Sequence, residues 1–153
     1  MTYATVKMFH LLGVVLFLGN IIVTAFWKTL ADRTGDVAII RFSQQLVNLT
    51  DMVFTAGGAS LIVATGLWLV PSWDALLQQA WLFWSLAAFG ASAVIWLGLL
   101  VPIQWRQTQL LREMSPDGDI DGRYQRLTRW WTIFGMIATI LPFLPLWLMV
   151  HKG

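Results

Sequence analysis

Apolar residues run almost unbroken through four stretches of the chain, Met8–Trp27, Met52–Val70, Ala80–Ile103 and Trp130–Val150, and none of them holds Asp, Glu, Lys or Arg. A helix needs about 20 apolar residues to cross a bilayer, so the pattern predicts four transmembrane helices. Extended to their flanking turn signals, they should cover about 4–30, 37–70, 74–114 and 122–151 of a single domain spanning 1–153. The stretch DRTGDVAIIRFSQQLVNLTD reads as an extension of the second helix or as a helix lying in the interface.

Lipid is as apolar as leucine, so small and polar residues, not hydrophobic ones, mark the buried face of a membrane helix. His10, Gly13, Phe17, Asn20 and Thr24 form such a stripe on the first helix, and Asn48, Asp51, Thr55, Gly58, Ile62 and Thr65 form one on the second. Ser85, Ala88 and Ser92 are the best markers on the third; Thr128, Thr132, Gly135, Thr139 and Pro142 mark the fourth. Alternating steps of three and four residues belong to left-handed supercoiled packing. The expected fold is therefore all-α, an integral membrane up-down-up-down four-helix bundle. Pro71 should stop the second helix, the short turn at PSWD should pair helices two and three, and Pro142 and Pro145 should kink the fourth.

Composition agrees. Only 12% of residues are charged, about half the share that coats a soluble domain. Eight of the ten basic residues, Lys28, Arg33, Arg41, Arg106, Arg112, Arg123, Arg126 and Arg129, fall at one end of the predicted bundle. The positive-inside rule puts that end in the cytoplasm and both termini outside, in a multi-pass protein of the inner membrane. A net charge of +2 confined to loops gives no footprint for nucleic acid, and the absence of cysteine excludes disulfides, thiolate metal sites and cysteine nucleophiles. The first segment reads as an anchor, because its apolar run is about twice that of a signal peptide and no cleavage-site pattern follows.

Candidate chemistry is sparse, and no catalytic residue is assigned. His10 is the one ionisable residue inside an apolar core, and such residues are functional hypotheses by default. It could ligate haem or another metal, or it could be a neutral histidine bonded to the next helix. His151 lies at the same end of the bundle and could supply a second ligand, as could Met8, Met149 or His10 of a second copy; it could equally be a polar tail. Asn20, Asn48 and Asp51, with Thr24, should form a polar cluster near the cytoplasmic end, with Arg41 or Arg129 within reach of Asp51. That cluster reads as interhelical glue or as a proton or cation entry point. DGDIDG at 117–122 opens like a calcium loop but has Thr128 at the twelfth position, where the motif requires Glu. Asn48-Leu49-Thr50 matches a glycosylation sequon on the wrong side of the membrane.

The stretch HLLGVVLFLG, from His10 to Gly19, and the stretch TDMVFTAGGASLIVATGLWL, from Thr50 to Leu69, resemble the DUF2269 family of predicted bacterial integral membrane proteins. More distantly, the His-to-Gly pattern is similar to HemJ-type protoporphyrinogen oxidases and CopD-type copper resistance proteins, although Phe17 stands where such motifs often carry Trp. Those likenesses imply haem or copper chemistry, carried over to His10 alone. The resulting expectation is a small bilayer protein binding haem b near its outer face for electron transfer or membrane redox chemistry. A cofactor-free accessory or assembly subunit, within a homo-oligomer or larger complex, and a small permeation protein are the alternatives.

Overall fold

The computed structural model describes residues 2–70, 72, 74, 78–116 and 118–151. Four helices are long and apolar enough to cross a membrane: α1 (Tyr3–Thr34), α2 (Val37–Leu69), α3 (Ala80–Glu113) and α4 (Gly122–His151). Three of the expected starts and all four ends lie within a few residues of these bounds. The third start, expected near residue 74, is Ala80, and Pro71 and Trp73 of the PSWD turn lie outside the described residues.

Local sequence explains the ends. The Thr2 hydroxyl accepts from the Thr5 N–H to begin α1, and Gly35 closes it at φ 69°, a left-handed conformation that favours glycine. Asp36 then caps α2 by accepting from the N–H groups of Ala38 and Ile39. With a cap on each side of a two-residue turn, Val37–Thr50 becomes a continuous extension of α2, which settles the choice left open above. Asp121 starts α4 by accepting from the Arg123 N–H at 2.7 Å. Hydrogen bonding from Arg123 holds that exposed carboxyl below the usual carboxylate range.

Two helices depart from α geometry inside their spans. α2 carries a π turn at Asp51–Thr55 and α3 one at Trp96–Leu100. α4 breaks at Leu141–Pro142, between Gly122–Ile140 and Phe143–His151, where Pro142 lacks the N–H that would continue the ladder.

The helices pack as two pairs, α1 along α2 and α3 along α4. α1 and α2 cross most closely at Gly58, where a Cβ would stand 2.8 Å from the Phe17 nitrogen and 2.9 Å from the Gly13 carbonyl oxygen. The pairs meet at the end bearing the basic residues, hereafter the basic end. There Val37–Thr50 of α2 lies against Val101–Glu113 of α3, and α1 touches α4. Toward the opposite, terminal end the backbones of Ala80–Ile95 and of the α1–α2 pair diverge.

Most of the predicted stripes face inward. His10, Gly13, Phe17 and Thr24 are buried, as are Asp51, Thr55 and Gly58, and Ser85, Ala88 and Ser92. On the fourth stripe Pro142 is buried, and Thr132, Gly135 and Thr139 face the space between the helix pairs. Tyr124, Trp131, Ala138, Pro142 and Pro145 are the buried set on α4, while Thr132 is exposed. Thr132 donates to the Thr128 carbonyl and Thr139 to that of Gly135, so these hydroxyls need no partner on another helix.

Candidate functional site

A chamber of about 880 Å³ fills the space where the two helix pairs diverge. Phe17, Ile21 and Ala25 of α1 and Ala56, Ala59 and Ala64 of α2 form one wall; Phe89, Ala93, Trp96, Gly135 and Ala138 of the other pair face them. Phe17 and Phe89 touch across it, with ring centroids 5.5 Å apart. The lining residues Ile22, Val63, Leu97, Met136 and Ile140 are also exposed, so the chamber opens sideways toward the bilayer.

Polar groups converge at one end of this apolar space. The first residue of the α2 π turn is Asp51, a lining residue only 8% exposed. Its Oδ1 accepts from Asn20 Nδ2 at 3.0 Å and from the Thr55 hydroxyl at 3.1 Å, and its Oδ2 accepts from Gln104 Nε2 at 2.8 Å. Asn20 uses its second proton on Thr55 and its carbonyl oxygen to accept from Thr24. Every donor is neutral. The Trp96 indole N–H faces the same carboxylate without reaching hydrogen-bond geometry, and the Trp131 N–H is also buried without a partner.

Two expectations about this cluster are corrected. Asn48 does not join it: Asn48 lies one turn nearer the basic end, accepts from Gln44 and donates to Thr108 at 2.9 Å. Among the described residues Asp51 has no ion pair with Arg41 or Arg129. Arg41 instead donates to the carbonyls of Leu111 and Met114 at the end of α3, where orphan helix carbonyls attract a cation. Gln104 is the member that sequence reasoning missed. It sits just past the apolar core of α3 and reads there as an interfacial residue.

Below the cluster the bundle is filled. Lys28, fully buried, donates to Tyr124 Oη at 2.9 Å and to Asp32 Oδ2 at 3.3 Å, while Tyr124 donates to Asp32 Oδ1 at 2.7 Å. Its ammonium also lies 5.3 Å from the Trp131 ring centroid, within cation–π range. Gln107 donates to Thr128, although Ser43, Gln44 and Gln107 each keep one buried oxygen without a partner. A sequence signal for Lys28 exists in the four-residue spacing of Asn20, Thr24, Lys28 and Asp32 along one face of α1.

His10 lies elsewhere. It is buried between α1 and α2, its Nδ1 is 2.9 Å from the Thr65 hydroxyl, and it does not line the chamber. Thr65 gives its one proton to the Leu61 carbonyl, so by hydrogen-bond bookkeeping Nδ1 donates and Nε2 keeps its lone pair. His151 bonds through Nδ1 to the Trp147 carbonyl and stacks on the Trp147 ring. No contact joins the two histidines, and no group of three or more His, Cys, Asp or Glu side chains suited to a metal occurs among the described residues. Asp117 of the DGDIDG turn lies outside the described residues; Asp121 of the same turn is occupied as a helix cap.

Four apolar spans packed as two pairs around a laterally open chamber define an integral membrane helical bundle. The chain belongs to DUF2269, a family described as a predicted integral membrane protein, whose pattern matches residues 4–153. No curated protein and no solved structure matches it.

Proposed function

We propose that this protein is a membrane-embedded binding protein whose chamber takes a bilayer-soluble amphiphile. The apolar body lies between the two helix pairs, and the polar head rests at Asp51. The observation that carries this reading is the chamber itself. Its volume of about 880 Å³ falls within the few hundred to about 1,000 Å³ of small-molecule sites, which are mostly apolar with a few convergent polar groups. The basic residues, on the Asp51 side of the chamber, favour an inner-membrane orientation with that side in the cytoplasm and both termini outside.

The test is to identify small molecules released from the protein purified in native lipid, alongside Ala59→Phe, which fills the chamber. Loss of a specific molecule in the variant is the expected result. An identical complement in both would sink the reading.

A second reading, haem b at His10, draws on the free Nε2 lone pair. His10 would hold the iron, with His10 of a second copy or His151 as the other ligand. Bound haem would supply one-electron chemistry; the role of Thr65 is to fix the imidazole tautomer. Oxidised and dithionite-reduced absorption spectra decide: a Soret band lost in His10→Ala is expected, and a flat spectrum in haem-replete cells ends this reading. Copper at the same nitrogen would be found by metal analysis of the same samples.

A further inference from the structure

We propose that the chamber selects a lipophilic organic cation, an amine or quaternary ammonium on an apolar body, with Asp51 as its counter-ion. The inference rests on the binding reading above and names its ligand class.

Charge balance carries the argument. Asp51 lines the chamber, and both of its oxygens accept hydrogen bonds only from the neutral groups of Asn20, Thr55 and Gln104. These bonds fix the carboxylate in place, yet none brings a positive charge. Two cations of the packed basic end are committed elsewhere: Lys28 to Asp32 and Tyr124, Arg41 to the α3 carbonyls. Among the described residues the only ion pairs are Lys28–Asp32 and Arg123–Asp121. An acidic side chain at membrane depth is costly unless paired, and the one face of Asp51 that protein does not cover is the chamber. A cation there completes the pair in a setting of low dielectric, where attraction is strongest.

The walls suit the same charge. Phe17, Phe89, Trp96 and Trp131 all line the chamber, and aromatic faces attract cations. An anion would meet a carboxylate, and a neutral molecule would leave it uncompensated. The sideways opening admits what the bilayer already concentrates, and lipophilic cations partition there.

The experiment uses the full chain in nanodiscs of zwitterionic lipid and three probes of similar shape: tetraphenylphosphonium, tetraphenylborate and neutral triphenylphosphine oxide. Saturable binding of the phosphonium alone is expected, weakened at least tenfold in Asp51→Asn, retained in Asp51→Glu and lost in Ala59→Phe. Binding of the borate or the oxide as tight as that of the phosphonium would overturn the cation inference. So would undiminished phosphonium binding by Asp51→Asn with a native circular dichroism spectrum. Either result leaves the chamber reading standing if Ala59→Phe still blocks the probes; if no probe responds to Ala59→Phe, both fail. Should Asp51→Asn not fold, the charge comparison on the unmodified chain decides alone.

Discussion

At the basic end of the bundle Lys28, Asp32, Tyr124, Gln107 and Thr128 interlock across three helices. Two to three turns away the same helices stand apart around a chamber with apolar walls. The first region has side chains long enough to span the gap between helix pairs and to hydrogen-bond across it. The second has Ala56, Ala59, Ala93, Gly135 and Ala138 facing one another, and Phe17 and Phe89 make the one ring contact across it among the described residues. Hydrophobic burial cannot close such a gap in a bilayer, because lipid offers alanine an equally good neighbour. Polar contacts hold the bundle together, and their absence leaves a space.

This contrast can be broken at its strong end first. Lys28→Met strips the buried Asp32–Tyr124 pair of its cation and should cost about 3–5 kcal/mol, read as a lower midpoint in detergent unfolding. Gly58→Val forces methyl groups into the α1–α2 crossing and should cost about 1–3 kcal/mol. Gly57→Ala is its control, since a Cβ at Gly57 meets nothing within 4 Å. Asn48→Leu removes one interhelical hydrogen bond to Thr108 and should cost about 0.6 kcal/mol, the average for such bonds in a membrane bundle. Ala59→Phe, which fills the chamber, should shift stability by less than about 0.5 kcal/mol while ending ligand capture. If the chamber variant instead unfolds the protein as readily as Lys28→Met, the two regions are not energetically distinct.

The helices and three of their buried faces were legible because small and polar residues recur at helical spacing. The α4 stripe was partly legible: Pro142 is buried and Thr132, Gly135 and Thr139 line the chamber, whereas Trp131, which packs inward beside them, carries no small or polar signal. The Asp51 cluster was half legible. Asn20 and Asp51 announce themselves inside or beside apolar runs, whereas Gln104 sits at a span end where polar residues are ordinary. The Lys28–Tyr124 bond joins residues 96 apart, a pairing with no local signal. The chamber left no mark at all, being a space set by how two helix pairs diverge.

The two π turns carry a consequence for how the gene can change. Each holds one residue more than an α-helix of the same reach requires, so losing a single codon within Trp96–Leu100 would yield an uninterrupted α-helix rather than a broken one. Everything on its far side would then keep its facing, because the π turn had already absorbed the surplus residue. Phe89, Ser92 and Ala93 would stay in the chamber wall together, so a frame-preserving deletion of three nucleotides there would leave both the scaffold and the site in place. The same deletion in a regular stretch of α3 would instead turn one side of the wall away by about 100°.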